Sequence, residues 1–398
     1  MNKIADDTKL SHVYQLLYSQ IEGGHSKSGS KLPTEQELAA RFGYSRATVA
    51  RAMQMLVREG LVERRKRAGS FVRGRRSIKT PLFGAMIGRT MPVQRSDNVF
   101  VAVSHEIAHQ AELHEHALVV HDPGFRVTSK AQVAERVSQI AAQLIERNVA
   151  GVFVLPDPID EGEEQSLTTK AVTEFDAARI PVVLLDRDIY RYPRRSKYDL
   201  VGIDNKRAAY ILTQHLISLG CRKIVFVAPE SYASAAEERI AGYLQALWAN
   251  GLQPERSRVV YLQHSARDAA ESTLRRDMIE DMVRTADADA FVIVNDEMAA
   301  QVMQVALAMG KRIPDDIRLV GFDDLPQSRY LAVPLTTVRQ PCEELGFIAV
   351  QTMLERIRDP ERHGVDVTVR SELIIRQSCG ANRAPAAPAT DAPSSGNA

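Results

Sequence analysis

Three polar pairs in this sequence directly follow apolar runs: Asp186-Arg187 after VVLL, Asn295-Asp296 after FVIV, and Asp323-Asp324 after LVGF. Carboxylates, an amide and a guanidinium are hydrogen-bonding forks, the chemistry that grips a neutral polyol with many hydroxyls and little charge. Asp323 and Asp324 do not form an acid/base pair, because adjacent residues ordinarily point in different directions and do not straddle a reacting bond. A different chemistry is spelled by His105-Glu106-Ile107-Ala108-His109, which matches H-E-x-x-H, two metal-binding histidines one turn apart with a glutamate base. Its extended form would require Gly at 112 and His at 115, where this chain has Glu112 and Glu115. On a helix, Val103, Ile107 and Ala111 would form the buried face, with His105, His109, Glu112 and His116 on a wet one, so no metal site is expected. G-x-S-x-G and G-x-x-x-x-G-K-[ST] do not occur in the sequence. Hydrolase-elbow and P-loop chemistry therefore lack their glycines, and neither catalytic residues nor a cofactor are expected.

The polar pairs need elements to position them. Between residues 82 and 378 the runs LFGAMI, ALVV, GVFVLP, VVLLD, KIVFV, AFVIV and RLVGF are strand-like, with helical patterns between them. That alternation predicts parallel sheets flanked by helices, with ligands bound beyond the carboxyl ends of the strands. Val152 to Leu155 and Phe291 to Val294 are apolar throughout, as expected of strands covered on both faces.

The first 73 residues follow another plan. In the run from Leu32 to Val72, Thr34 and Glu37 form a capping box for a helix that ends at Gly43. Ser45 caps a second helix, in which Ala47, Val49, Ala52, Met53, Leu56 and Val57 recur at helical spacing as far as Gly60. Arg46, Thr48, Arg51, Gln54 and Arg58 are left on other faces. Leu61-Val62 and Phe71-Val72 flank a turn and read as a hairpin, with Arg64, Arg65, Lys66 and Arg67 placed to meet phosphates. Leu10, Val13, Leu16, Leu17 and Ile21 supply a third helix.

Charge divides the same way. The 398 residues carry a net +1, but residues 1–80 hold 16 Lys and Arg against 7 Asp and Glu, leaving 35 against 43 for the rest. The front part suits a polyanion and the remainder does not. No apolar run approaches the roughly 20 residues that span a bilayer. Asp6 and Asp7 precede no apolar segment, so a cytoplasmic protein without membrane contact is expected. Cys221, Cys342 and Cys379 are odd in number and widely spaced, against a disulfide framework or a zinc site. GRRSIKTP at 74–81 reads as a basic linker, and the Ala-, Pro- and Ser-rich stretch 381–398 as a disordered tail. The expected domains are 1–73, which reads the nucleic acid, and 82–380, which binds the ligand.

Residues 9 to 73 resemble the winged helix-turn-helix of the GntR transcription-factor family, through L-P-[ST]-E, S-R-x-T-V, E-G-L-V-E-R-R and a wing ending G-S-F-V. The resemblance implies that Arg46, Thr48 and Arg51 reach phosphates and base edges of double-stranded operator DNA, and that Gly69 lets the wing approach the minor groove. Lys31, Gln36, Ser45 and Arg65 complete the candidate contacts. Gln36 and Ala50 depart from positions where the family commonly has arginine, so the operator sequence cannot be copied from relatives.

Residues 82 to 378 are similar to the effector domain of the lactose/galactose repressor family, which shares the periplasmic sugar-binding-protein fold. The motifs are LLDRD, VGIDN, HLISLGCRKIVFV, ERIAGY, VNDEMA, RLVGFDD and PLTTVRQP. This resemblance implies ligand contacts from Asp186, Arg187, Arg239, Asn295, Asp323 and Gln340, joined by Asn98 and Phe100. Arg89 to Val99 departs from the family's usual N-P-F-F-like segment. It also implies two lobes with chain crossings near Gly202 to Asn205, near Thr336 to Arg339 and near 358–364. Each site residue has a plainer reading. Asp186-Arg187 as a surface ion pair, Arg239 as a snorkelling side chain, Asn295 as a helix cap and Asp323 as a turn residue are all common.

The expected fold class is therefore α/β, a small winged helix-turn-helix domain followed by a two-lobed, periplasmic-binding-protein-like domain with parallel sheets. Arabinose-type repressors join the same two modules. The expected function is a homodimeric repressor whose operator affinity is set by a sugar or sugar derivative, since one recognition helix reads too few base pairs alone. The alternatives are an enzyme acting on a sugar-like ligand with an accessory basic segment, and a regulator sensing a non-sugar metabolite.

Overall fold

The computed structural model describes residues 10, 12–18, 29–58, 61–65, 68–72, 80–87, 99–123, 129–159, 162–229, 234–253, 258–262 and 269–381. Asn98, most of the expected linker and nearly all of the expected tail lie outside the described residues. The chain separates into two compact units, Met1–Pro81 and Leu82–Ala398.

In the first unit, residues 12–18 are helical (α1) and are followed by α2 (Glu35–Phe42), α3 (Arg46–Arg58), β1 (Val62–Arg65) and β2 (Gly69–Val72). The capping box forms: the Glu37 amide donates to Thr34 Oγ1 at 3.3 Å, and the Thr34 amide donates to the Glu37 carboxylate at 2.7 Å. Those bonds hold the Glu37 carboxyl below its ordinary pKa. Gly43, at φ 73°, ends α2 in the left-handed conformation that glycine adopts without a Cβ penalty. The Thr48 amide then donates to Ser45 Oγ at 3.1 Å and starts α3. Val13 and Leu17 of α1, Leu38 of α2, and Val49, Ala52, Met53 and Leu56 of α3 pack with Leu61, Val62 and Val72 into one buried cluster. Each of the larger side chains contributes about 1.5–3 kcal/mol by burial. The antiparallel pair β1–β2 is extended by a bridge between Lys31 and Phe71, giving the wing a third short edge.

The second unit alternates strands and helices. Its first lobe contains β3 (Leu82–Met86), α4 (Val99–Leu113), β4 (Ala117–His121), α5 (Lys130–Glu146), β5 (Gly151–Val154), α6 (Thr169–Ala177), β6 (Val182–Leu185) and β7 (Asp199–Ile203). Its second lobe contains α7 (Asn205–Ser218), β8 (Ile224–Pro229), α8 (Ser234–Ala249), β9 (Val259–Leu262), α9 (Ala269–Thr285), β10 (Ala290–Ile293), α10 (Asp296–Ala308) and β11 (Arg318–Val320). The chain closes with β12 (Thr337–Arg339), α11 (Cys342–Arg358), β13 (Asp366–Val369) and β14 (Glu372–Ile374). The first sheet has the order β13-β7-β6-β5-β3-β4 and the second β11-β10-β8-β9. Every pairing in both is parallel, as the alternating apolar runs predict. β5, β6 and β10 are buried at every residue, because helices cover both faces.

The lobes are joined by three crossings, of which the third corrects the sequence expectation. The first follows β7 into α7. The second lies between β12, which bridges to the end of β11, and α11, which packs on α4 of the first lobe. The third lies between β13, paired with β7, and β14, paired with β12, and so falls at 369–372. Residues 358–364 instead belong to the first lobe. Buried Asp199 at the start of β7 binds Arg356 at 2.9 and 3.0 Å, Arg362 at 3.3 Å and the Val365 amide at 3.0 Å, tying that loop down.

Candidate functional site

On the first unit, Lys31, Gln36, Ser45, Arg46 and Arg51 are exposed. Arg46 keeps 74% of its side chain in solvent while its Nε stands 4.0 Å from Glu35, which also pairs with Arg64 of β1. Glu35 therefore draws arginines of helix and wing toward one point. Arg65 lies over the Phe71 ring at 4.7 Å, leaning along the wing. Gly69 has φ 108°, and a Cβ there would come within 2.9 Å of Lys31 Cε, so the missing side chain is what lets Lys31 lie against the wing. Thr48 is placed differently from its neighbours. It is buried, and its hydroxyl is 2.8 Å from Ser45 Oγ, where it supports the start of α3.

On the second unit, the polar groups gather at the carboxyl ends of the two sheets. Arg239, on α8, is 7% exposed; its Nε donates to Asn205 Oδ1 at 2.9 Å and its Nη1 to the Val294 carbonyl at 2.7 Å. Its guanidinium covers the Phe322 ring, and Asp323 Oδ1 is 4.0 Å from Nη1. Burial lowers the Arg239 pKa against the pull of Asp323 and of Asp186, which belongs to the other lobe. Gln340 donates to Asp323 Oδ1 at 2.7 Å. Burial pushes the Asp323 carboxyl up to about 7; Arg239 opposes that rise, and Asp296 adds to it. Asp186 and Arg187, just past β6, pair at 3.6 Å with 7% and 12% of their side chains exposed. This is not the solvated surface pair of the plainer reading. Arg187 also donates to the Pro156 carbonyl at 2.9 Å.

Of the seven non-glycine residues with positive φ among those described, three lie at the same strand ends. Asp186, Asp323 and Asp324 have φ of 66°, 119° and 52°, a region non-glycine residues occupy only where the surroundings over-determine it. Gly202 of β7 lies against the first of them, where a Cβ would sit 3.2 Å from Asp186 Cα.

The structure thus draws Asp186, Arg187, Arg239, Asp323 and Gln340 into mutual electrostatic or hydrogen-bonding reach. Asn295 sits at the same end, but its Oδ1 accepts from the Met298 amide at 2.9 Å and caps α10. Phe100, on the first turn of α4, is half-buried and packs against the lobe core. Asp324 turns away from its neighbour to accept from Arg339 at 2.7 Å and from Arg376, tying β12 to β14. Sequence reasoning missed one carboxylate, Asp157, and named another, Asp296, among the polar pairs without carrying it into the ligand contacts. Asp157, which follows GVFVLP and could have been found by the rule that found the others, is 6% exposed, with Oδ2 unpaired among the described residues and a pKa pushed to about 6 by burial. Asp296, beside the cap Asn295, is 1% exposed and accepts from the Leu325 amide, Ser328 and Thr337 at 2.9, 2.6 and 2.6 Å. An ion pair also crosses between the lobes, Arg191 to Glu237 at 2.8 Å.

The H-E-x-x-H segment lies on α4, with Val103, Ile107 and Ala111 buried and His105, His109 and Glu112 exposed. His116 stacks on Phe83 with ring centroids 4.2 Å apart. Glu106 is pressed against Gly346 of α11, where a Cβ would come within 2.6 Å of it. Among the described residues, no group of three or more His, Cys, Asp and Glu could hold a metal ion. No described helix is long and apolar enough to cross a membrane.

Residues 9–72 match the bacterial regulatory proteins of the gntR family, and residues 213–379 a periplasmic binding protein-like domain. Over 375 residues, 93% of this chain and 97% of the relative, the sequence is 27% identical to the arabinose metabolism transcriptional repressor of Geobacillus stearothermophilus. It is 26% identical to the HTH-type transcriptional regulator CelR of Thermobifida fusca, covering 87% of this chain and 98% of the relative. Among solved structures, the CelR–cellobiose complex superposes with a TM-score of 0.63 at 21% identity, over 87% of this chain and all of that one. The regulator CcpA of Lactococcus lactis gives 0.60 at 19% identity, over 75% of this chain and 99% of that one. These superpositions establish the α/β fold with its parallel sheets.

Proposed function

We propose that this chain, a transcriptional regulator in which a gntR-family domain is followed by a periplasmic-binding-protein-like domain, represses an operator under the control of a sugar or sugar derivative. It is a regulator and not an enzyme, as its full-length relatives are. The observation that carries the sensing half is the electrostatic meeting of Asp186 and Arg187 from one lobe with Arg239 and Asp323 from the other. Carboxylates and guanidinium groups at facing strand ends offer paired acceptors and donors to hydroxyls, and a ligand touching both lobes stabilises one arrangement of them. The reading half rests on exposed Lys31, Gln36, Ser45, Arg46, Arg51 and Arg65 beside a glycine-tipped wing. We assign the chain to the cytoplasm, where its DNA is, and to a homodimer, because paired half-sites supply the specificity one recognition helix lacks. The test is a thermal-shift panel of neutral sugars, sugar acids, sugar phosphates, amino acids and nucleobases, followed by operator binding with each compound that raises Tm. Stabilisation by sugars or their derivatives supports the proposal, and stabilisation by amino acids or nucleobases alone contradicts it.

A further inference from the structure

β5 and β6 are adjacent parallel strands whose register pairs Val154 with Leu184, so that Asp157 and Arg187 each stand three residues past that pair. A contact joins the two strand ends: Arg187 Nε donates to the carbonyl of Pro156, the residue before Asp157. Arg187 also pairs with Asp186, so carboxylate, guanidinium and carboxylate stand together beyond β5 and β6. Asp157 is 6% exposed, and its carboxylate accepts from the Thr168 amide at the start of α6. Its Oδ2 is sealed from solvent and has no hydrogen-bond partner among the described residues. The buried hydroxyls at the start of α6 are engaged elsewhere: Ser166 Oγ lies 2.8 Å from Thr168 Oγ1 and 3.3 Å from Thr169 Oγ1, which donates to the Ile189 carbonyl. The other carboxylates of the site have partners, Asp186 in Arg187 and Asp323 in Gln340. A buried acceptor without a donor bears its full desolvation cost, which fits a place where the donor arrives with the ligand.

We propose that Asp157 belongs to the effector site, its Oδ2 accepting from one ligand hydroxyl while Arg187 donates to the neighbouring one, so that the first lobe takes an uncharged vicinal diol. The proposal rests on the reading of this unit as a sugar-responsive effector domain. A hydroxyl supplies the proton that Oδ2 lacks, and a carboxylate can only accept. An oxyanion supplies none and is repelled by Asp157 and Asp186 together. Arg191 and Glu237 join the lobes at 2.8 Å, and a ligand enters between the strand ends as that pair opens.

The test is thermal unfolding of the full chain, wild type against Asp157→Asn, titrated with L-arabinose, D-ribose and cellobiose up to ~20 mM. At least one sugar should raise the wild-type Tm by about 2 °C or more. Asp157→Asn should weaken that sugar about tenfold or more, because an amide nitrogen in place of Oδ2 donates and cannot accept. Without sugar the variant should be no less stable than wild type above pH 7, since it no longer buries a charge there. A merely structural Asp157 would leave the sugar response unmoved. The sugar with the largest shift is then compared with its monodeoxy analogues. Wild type should reject at least one of them about tenfold or more, and Asp157→Asn should bind that analogue and the parent sugar alike. Should Asp157→Asn not fold, Asp157→Ser, whose hydroxyl still accepts from the Thr168 amide, makes the same comparisons. Equal sugar responses in wild type and variant, a wild type indifferent to every monodeoxy analogue, or no shift with any of the three sugars overturns the proposal. If a sugar changes operator affinity equally in wild type and Asp157→Asn, this inference falls and the sugar-sensing reading stands. If only amino acids or nucleobases raise Tm, the sugar-sensing reading falls with it.

Discussion

The guanidinium carbon of Arg239 lies 3.6 Å from the centroid of the Phe322 ring, and the residue after that phenylalanine, Asp323, faces the same guanidinium. One strand end thus supplies both the surface on which the arginine rests and the charge that opposes it. Replacing Arg239 by Lys removes the planar fork that serves Asn205 and Val294 together, so the exchange is not conservative here. Arg239→Lys should abolish the effector-dependent change in operator affinity, read by anisotropy. It should also cost about 1–3 kcal/mol in denaturant unfolding through the buried acceptors left unpaired.

Asp324 should behave differently from its neighbour. Its side chain is 2% exposed and accepts from Arg339 of β12 and from Arg376, two residues past β14, at the lobe crossings. Asp324→Ala leaves Arg376 buried without its carboxylate, while Arg339 is 41% exposed and recovers solvent. We expect a loss of about 2–3 kcal/mol in urea unfolding, below the cost of breaking a fully buried pair. Asp323→Asn should instead leave the fold intact and weaken the effector response, and the two measurements together separate ligand contact from hinge.

The pH dependence of stability follows from carboxyls held above their ordinary range. Asp323 is pushed up to about 7, and Asp157 and Asp296 to about 6. Between the unfolded value near 3.8 and these folded values the native state binds more protons than the unfolded state, so stability falls as pH rises through that window. The effector-free protein should lose Tm from pH 5 to pH 8. Asp323→Asn should flatten that slope and gain most over wild type at pH 8. A Tm difference that is the same at both values would contradict the assignment.

On the nucleic-acid side, Arg46→Ala should weaken operator binding roughly 10- to 100-fold, the worth of one specific arginine contact. Gly69→Ala should also weaken binding, because φ 108° disfavours a Cβ and that Cβ would displace Lys31. Electrophoretic mobility shifts on the native operator check both.

Much of this was legible in the sequence because the signals were local. Apolar runs marked the central strands, the Thr34–Glu37 spacing marked the start of α2, and the plainer reading of Asn295 as a cap is the role its Oδ1 has taken. The third crossing was not legible. β13 is an edge strand, DVTV, buried at only one residue, so it carries no apolar run, and its pairing with β7 is non-local. Asp296 was named among the polar pairs, but its structural role was not legible for a similar reason: its partners Leu325, Ser328 and Thr337 come from beyond β11 and meet it only in the folded lobe. Thr48 has a role within the domain that the motif did not announce, its hydroxyl lying 2.8 Å from Ser45 Oγ.

The most direct test is anisotropy of a labelled duplex from the chain's own promoter, titrated with full-length protein at about 50 and 200 mM salt, with and without a compound that raises its Tm. Binding should fall steeply with salt and change further when the compound is present, and Arg239→Lys should lose only the second effect. A duplex ignored at low salt, or a compound that stabilises the protein yet leaves operator affinity unmoved, would contradict a DNA reader governed by the lobes that carry Asp186 and Arg239.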